Sequence, residues 1–171
     1  MTIKQFGAES TYRNWPIWKT IKIGTGFASA SELLAAIGIR GLKIGDWADD
    51  MLVMPEFVIN LEEIELDLVV VSASDIGFEN GARRDQIYKR IEEFGLEVCP
   101  CEVGPQLYLQ YDDKADGEIL IGMNPIVSSI GVPRVFYIAR RGSEIRLRSY
   151  FGRPDIFWGT RTKWVFVRPR R

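Results

Sequence analysis

Histidine is absent from this sequence of 171 residues. Without it, the chain has no Ser-His-Asp or Cys-His arrangement for nucleophilic catalysis. It also lacks the side chain that most often acts as a general base near neutral pH. An enzyme made from this sequence would have to depend on carboxylates, lysine, tyrosine or a thiol. The composition therefore favours a protein that is not an enzyme.

Cysteine is nearly as scarce, because the only two are Cys99 and Cys101, with Pro100 between them. A disulfide between residues this close in sequence would be strained. Structural zinc usually takes four nitrogen, sulfur or oxygen ligands, and a site of the common Cys/His type has only these two residues to draw on. The sequence therefore predicts buried thiols, with no metal and no cofactor.

Long hydrophobic runs are also missing, since no stretch approaches the ~20 apolar residues that a membrane-spanning helix needs. The opening residues, MTIKQFGAES, do not have the basic and then apolar layout of a signal peptide. An apolar fraction of 46% is sufficient for an ordinary core. These features predict a soluble cytoplasmic protein with no membrane partner, folded as a single compact domain over residues 1–171.

What the sequence does contain is charge that is separated by position. Residues 1–133 hold 11 Lys/Arg against 21 Asp/Glu, a net charge of −10. Residues 134–171 hold 11 Lys/Arg against 2 Asp/Glu, a net charge of +9. This asymmetry predicts either a basic surface for phosphate or another acidic partner, or internal pairing between the acidic and basic parts of the chain.

The acidic front half, residues 1–98, is predicted to be helical or mixed. Ser29 and Glu32 have the spacing of a capping box, which predicts a short helix that ends at Gly38. Ile87 and Ile91 are spaced as one buried helical stripe. Together the patterns predict helices at 30–38, 45–52 and 82–94, and strands at 20–23, 57–60 and 66–71.

The basic back half, residues 99–171, is predicted to be rich in β-structure. Its apolar and aromatic runs predict two hairpins and a last strand, at 106–123, 134–150 and 163–168. The residues after 168 are expected to fray. The sequence therefore predicts an α+β fold, in which short helices in the N-terminal half pack on a mainly antiparallel sheet in the C-terminal half.

Two short motifs are similar to ligand-binding loops, but local structure explains them better. Gly24-x-Gly26-x-x-Ser29 follows a strand, and Asp46 lies 22 residues after Gly24, as in a dinucleotide-binding unit. The third glycine is missing, which favours a glycine-rich strand exit followed by a capped helix. Residues 112–118 are similar to a calcium loop, but lysine stands at the position of the second ligand, which favours a solvated turn.

Three stretches carry a likeness to known sequences: DIGFENGARRDQIYKR, GLEVCPCEVGPQLYLQY and FWGTRTKWVFVRPR. Together they resemble a group of small uncharacterised bacterial proteins with no established function. The resemblance extends over most of the chain, from about Trp18 onward. It implies a bacterial origin, a cytoplasmic location and a compact fold, and it carries over no catalytic residue.

The clearest candidate for a site lies among the basic and aromatic residues of the back half. Alternation in the strand predicted at 144–150 places Arg146, Arg148 and Tyr150 on one face, opposite Leu147. Arginine makes phosphate contacts, and aromatic rings are stacking platforms for bases. The predicted partner-binding residues are Arg146, Arg148, Tyr150, Arg153, Trp158, Arg161 and Arg168.

The leading hypothesis is a non-enzymatic cytoplasmic protein whose basic, aromatic sheet face binds an acidic partner, either single-stranded nucleic acid or an acidic protein. One alternative is a carboxylate-dependent enzyme with Asp46, Asp49 or Asp50 in a cleft. Another is an assembly subunit with no ligand, which would show a contiguous apolar patch. The sequence predicts no particular oligomeric state.

Overall fold

Ten strands and four α-helices make up residues 15–170, the part of the chain that the computed structural model describes. The strands are β1 (Lys19–Ile23), β2 (Lys43–Ile44), β3 (Ile64–Ser72), β4 (Ala82–Arg83), β5 (Gly117–Ile121), β6 (Ile126–Val127), β7 (Pro133–Arg141), β8 (Glu144–Phe151), β9 (Phe157–Trp158) and β10 (Lys163–Arg168). The helices are α1 (Ala30–Ile39), α2 (Asp46–Leu52), α3 (Arg84–Glu93) and α4 (Val103–Leu109). Within these residues, none of the helices combines the length and the apolarity required to cross a bilayer.

Most of the strands form one mixed sheet in the order β1-β3-β10-β5-β7-β8-β2, with β6 paired to β7. Neighbours are largely antiparallel, but β10 pairs with β5, and β2 with β8, in parallel. Strands β4 and β9 form a separate antiparallel pair. The α+β class is therefore confirmed. The predicted separation into a helical front half and a β back half is not, because β1 and β3 belong to the sheet and α4 lies in the back half.

Strand β3 occupies an interior position in the sheet, between β1 and β10. Its continuous run of apolar residues, Leu68–Val71, predicted a strand that is covered on both faces. Leu68, Val69 and Val71 are fully buried, which agrees with that prediction. The hairpin of β7 and β8 and the strand β10 also lie where the sequence placed them.

Helix α4 replaces a predicted strand, because residues 106–111 lie in this helix and in the segment that follows it. Every residue of α4 is buried, so the helix has no polar face by which its sequence could reveal a helical period. Pro105 is tolerated because it lies in the first turn, where backbone amides have no partner inside the helix. The hairpin predicted at 106–123 is therefore wrong, and only β5, its second strand, is present.

Other predicted elements also differ from the structure. Residues 57–60 form no strand, and the helix predicted to begin at residue 82 begins at Arg84, because the two residues before it form β4. Helix α1 continues through Gly38 to Ile39, and the left-handed conformation that follows it belongs to Gly41, with φ +68°. The N-cap of α1 is confirmed, because Glu32 N donates to Ser29 Oγ at 3.3 Å. The reciprocal bond of the predicted capping box is displaced by one residue, since the carboxylate of Glu32 accepts from Ala28 N at 2.7 Å and not from Ser29 N.

Arg170 is anchored to the sheet rather than frayed. Its Nε and Nη2 donate to the two carboxylate oxygens of Asp67 at 2.8 and 2.9 Å, and Nη2 lies 3.1 Å from Glu65. Thr20 Oγ1 also donates to Asp67, at 2.7 Å. Because Arg170 stabilises the ionised form, it holds the pKa of Asp67 below its usual value. The acidic and basic parts of the chain therefore meet at this point.

Helices cover both faces of the sheet. On one face, α4 places Gly104 against the ring of Phe136 on β7. On the other face, Tyr88 of α3 packs edge-on against Trp164 and Phe166 of β10, with ring centroids 5.9 and 5.8 Å apart. The second face is not completely covered, because the part formed by β5, β7 and β8 carries exposed residues.

Replacing Gly38 with alanine is expected to stabilise the protein. Gly38 lies inside α1, and a Cβ atom built there would have no neighbour within 4 Å. Alanine removes the entropic cost of glycine in a helix, so the free energy of unfolding should rise by about 0.5 to 1 kcal/mol. Thermal unfolding measures this change. The matched control is Ala35→Gly at an exposed position of the same helix, which should lower the free energy of unfolding by a similar amount. An unchanged or lower stability of Gly38→Ala would contradict the expectation.

Candidate functional site

Strand β8 presents Arg146, Arg148 and Tyr150 on one face of the sheet, the alternation expected from its sequence. Antiparallel pairing places residues of β7 directly opposite them: Ala139, Tyr137 and Val135. Leu147 points to the other face and is fully buried. We call the surface around these three residues of β8 the outer face. It is the part of the sheet that α3 does not cover.

An aromatic cluster forms the centre of the outer face. The rings of Tyr137 and Tyr150 are stacked, with centroids 4.0 Å apart and planes at 18°. The ring of Trp158 meets Tyr150 edge-on at 5.4 Å and Trp164 edge-on at 5.3 Å. Tyr137 and Trp164 are buried, whereas Tyr150 and Trp158 are only half-buried. The cluster therefore offers two rings to the surface, supported from below by two others.

Glu118 of β5 holds the hydroxyl group of Tyr150. The phenol donates a hydrogen bond to Glu118 Oε2 at 2.8 Å. Burial raises the pKa of Tyr150 well above its usual value, and the neighbouring carboxylate raises it further. Tyr150 is therefore a neutral phenol and a hydrogen-bond donor across the physiological range.

Two grooves meet at Glu118. The aromatic groove has a volume of 560 Å³, and the residues lining it include Glu118, Tyr150, Trp158, Arg161, Thr162 and Lys163. The arginine groove has a volume of 240 Å³ and is lined by Glu118, Ala139, Arg141, Glu144, Arg146 and Arg148. Glu118 lines both grooves, so they adjoin at this residue, and we refer to the two grooves together as the trough.

Positive charge in these grooves is mostly uncompensated. Arg146 pairs with Glu144 at 2.5 Å. Four other cations that line the grooves make no ion pair with any carboxylate of residues 15–170: Arg141, Arg148, Arg161 and Lys163. Five cations therefore face two carboxylates, Glu118 and Glu144, and the trough has a net positive charge.

The structure brings five of the seven predicted binding residues to this trough: Arg146, Arg148, Tyr150, Trp158 and Arg161. Arg153 lines neither groove; it lies exposed after β8, with Nε 3.8 Å from Asp155. Arg168 is at the far end of β10, paired in register with Asp67, and donates to the carbonyl oxygen of Trp15 at 2.8 Å. These two residues therefore lie outside the trough.

Four residues of the site were missed by sequence reasoning: Glu118, Tyr137, Arg141 and Lys163. The hairpin register would have placed Tyr137 opposite Arg148 and Arg141 opposite Glu144, since the turn between β7 and β8 was recognised. No sequence pattern of this kind indicated that Glu118 would lie near the basic residues. It reaches the outer face because β5 pairs with β7, and the sequence pattern had assigned β5 to a different hairpin.

The acidic residues of α2 do not converge. Asp46 and Asp49 are exposed, and Asp50 accepts a hydrogen bond from Ser129 N at 2.9 Å. Hydrogen bonding from Ser129 lowers the pKa of Asp50. In the part of the chain described, no three acidic or cysteine side chains gather as ligands for a metal ion. The cleft that a carboxylate-dependent enzyme would require is therefore not formed by these three residues.

Exposed apolar side chains flank Arg134 at one end of the sheet. Its guanidinium group lies 4.4 Å from the ring centroid of Trp47 and 5.0 Å from that of Phe151. Trp47 is 41% exposed and Phe151 is 52% exposed. These two rings are where an assembly interface would have apolar surface to bury.

The glycine-rich segment holds no free phosphate-binding amide at its first glycine. Gly24 N donates to Glu102 Oε1 at 2.9 Å, so the amide that a dinucleotide would use is already bonded to the protein's own carboxylate.

The two thiols are unsuited to nucleophilic chemistry, because burial raises the pKa of both Cys99 and Cys101. Neither motif competes with the outer face as a site.

The outer face is therefore the strongest candidate site, since its grooves combine half-buried rings with cations that outnumber the carboxylates lining them. Its interpretation rests on the chemistry of those residues. No protein-family model, curated protein or solved structure matches this chain.

Proposed function

We propose that this protein binds single-stranded nucleic acid along the trough of the outer face. The observation that carries the proposal is the aromatic groove, in which the half-buried rings of Tyr150 and Trp158 lie beside Arg161 and Lys163, two cations with no carboxylate partner in residues 15–170. Rings of this kind stack on bases, and such cations contact phosphates. The protein acts as a binding protein and not as a catalyst.

The composition of the trough favours nucleic acid over an acidic protein. An acidic protein would present carboxylates to both grooves and would be repelled by Glu118, where the grooves meet. A nucleic acid places its phosphates on the cations and its bases on the rings. The bases also carry N–H donors that a carboxylate can accept. Glu118 is therefore compatible with a nucleic acid at the position where it would oppose an acidic protein.

The partner is expected to be single-stranded. In a duplex the faces of the bases are stacked on each other, and the rings of Tyr150 and Trp158 could reach them only by disrupting the helix. Unpaired bases expose both their faces and their edges. A trough that is lined by both exposed ring surface and cations therefore fits one strand better than two.

Reversing two groove charges is expected to weaken binding by at least about tenfold at low salt. The variant Arg148→Glu/Arg161→Glu alters one unpaired cation in each groove. The measurement is the dissociation constant for labelled single-stranded RNA, single-stranded DNA and duplex DNA of about 12 nucleotides or base pairs, between about 50 and 200 mM salt. Affinity of the wild-type protein should fall steeply with salt and should be lowest for the duplex.

A matched control is Lys22→Glu/Lys89→Glu, which makes the same change in net charge on exposed residues outside the grooves. This variant should lose much less affinity than the groove variant. Equal losses of affinity in the two variants would mean that binding depends only on the net charge of the protein. An absence of binding by the wild-type protein at low salt would overturn the proposal.

A further inference from the structure

We propose that Glu118 recognises a guanine base seated in the aromatic groove. This inference rests on the proposed function and gives it a sequence preference. Glu118 is the only carboxylate among the described residues that lines this groove, and it also lines the arginine groove. An acidic side chain between unpaired cations weakens the attraction for phosphate, so its position needs another reason.

The carboxylate of Glu118 is held in place and is only partly used. Oε2 accepts a hydrogen bond from the hydroxyl of Tyr150 at 2.8 Å, which fixes the carboxylate beside the ring cluster. Oε1 accepts no hydrogen bond from residues 15–170. Each carboxylate oxygen has two lone pairs, so the group retains acceptor capacity on both oxygens. Glu118 is therefore an oriented acceptor whose Oε1 has no donor among residues 15–170.

The edge of guanine supplies two such donors side by side. Its N1–H and N2–H₂ groups point in the same direction and match the two oxygens of a carboxylate. Adenine presents the unprotonated N1 at the corresponding position, which a carboxylate repels. Cytosine presents its N4 amino group beside the unprotonated N3, and uracil presents its N3–H between two carbonyl oxygens, so neither has two adjacent N–H donors. Guanine is therefore the base whose edge best complements an ionised Glu118.

The groove has the other features that a nucleotide requires. Its volume of 560 Å³ is within the range of about 300 to 1,000 Å³ in which proteins hold small ligands. Tyr150 and Trp158 provide ring surface beside Glu118, so that a base can stack while its edge meets the carboxylate. Arg161 and Lys163 line the same groove and can neutralise the attached phosphate. Stacking, edge recognition and charge neutralisation therefore occur in one place.

The inference is tested with oligouridine of about 12 nucleotides that carries a single central guanine, adenine, cytosine or uridine. A single guanine avoids the self-association of guanine-rich strands. The wild-type protein should bind the guanine-containing strand at least about fivefold more tightly than the adenine-containing strand, which is the discrimination expected of one bidentate contact. The dissociation constant is measured by fluorescence anisotropy at one salt concentration.

Glu118→Gln is the decisive variant. Glutamine keeps an acceptor for the hydroxyl of Tyr150, so the ring cluster is retained, but it can no longer accept both N–H groups of guanine. The preference for guanine over adenine should fall to within about twofold, while binding to plain oligouridine should be unchanged or stronger because a negative charge is removed.

Glu144→Gln is the matched control, because it removes the other carboxylate of the trough without touching the aromatic groove. This variant should keep the full preference for guanine. Equal binding of all four strands by the wild-type protein would overturn the inference and leave the proposed function intact, as would loss of the preference in Glu144→Gln. Failure of the wild-type protein to bind any strand would overturn both.

Discussion

Replacing Glu102 with alanine is expected to lower the free energy of unfolding by about 3 kcal/mol or more. Glu102 is completely buried at the start of α4, and its carboxylate accepts three hydrogen bonds. Oε1 accepts from Gly24 N at 2.9 Å and from Gln106 Nε2 at 3.0 Å. Oε2 accepts from Asn60 N at 2.7 Å. Alanine would leave the backbone amides of Gly24 and Asn60 without this acceptor, and Gln106 Nε2 would keep only its bond to Thr25 Oγ1. Unsatisfied donors of this kind are among the more expensive defects that a single substitution can cause.

The loss of stability should depend on which side chain replaces Glu102. Glu102→Gln keeps the volume of the side chain but places an NH₂ group opposite one of the donors, so its loss of stability should lie between those of the wild-type protein and Glu102→Ala. Glu92→Ala, on the exposed side of α3, is the control and should change stability by less than about 0.5 kcal/mol. Urea unfolding monitored by tryptophan fluorescence gives all three values. A stability of Glu102→Ala close to that of Glu92→Ala would show that the buried carboxylate does not hold this junction together.

Replacing Gly24 with alanine is the second change that we expect to be severe. A Cβ atom on Gly24 would lie 2.0 Å from the carbonyl oxygen of Glu62, which is backbone and cannot rotate away. Gly24 also has φ +66°, where side chains other than glycine are strained. We expect a loss of about 3 kcal/mol, since the chain at 60–62 must move and the bond from Gly24 N to Glu102 would be disturbed.

Gly26→Ala separates the two causes. Gly26 also has a positive φ, +90°, but a Cβ atom there would have no neighbour within 4 Å. The free energy of unfolding of Gly26→Ala should fall only by the cost of placing alanine at a positive φ, about 1 to 2 kcal/mol. Thermal unfolding of Gly24→Ala and Gly26→Ala measures the difference between their two losses of stability. This difference is the cost of the steric clash with Glu62. Equal losses would mean that backbone conformation, and not packing against Glu62, determines the need for glycine at position 24.

The elements that the sequence predicted correctly are those whose evidence is local. The N-cap at Ser29, the stripe of Ile87 and Ile91, and the alternation in 144–150 each depend on residues within two turns or one strand of each other. Helix α4 was missed because its surroundings, and not its own pattern, determine its conformation. A segment buried on all sides has no polar residues at the period by which a helix is recognised.

The same distinction explains which parts of the candidate site could be predicted. Arg146, Arg148 and Tyr150 share a face because they alternate along one strand, and that was visible in the sequence. Glu118 lies beside Tyr150 because β5 pairs with β7, and its relation to the basic residues arises only from the order of strands in the sheet. Arg168 lies outside the trough for the corresponding reason, since β10 places it opposite Asp67 of β3.

The position of β10 between β3 and β5 has a consequence for how the chain folds. Trp164 pairs with Val71 on one side and with Leu120 on the other, so the strand joins partners that are far apart in sequence. Contacts of this range are reached slowly, because a long loop must close before they form. Until β10 docks, β3 and β5 each present an open apolar edge to which a second molecule could add a strand. Docking of this one strand therefore joins the two parts of the sheet and also covers two apolar edges at which the folding protein could aggregate.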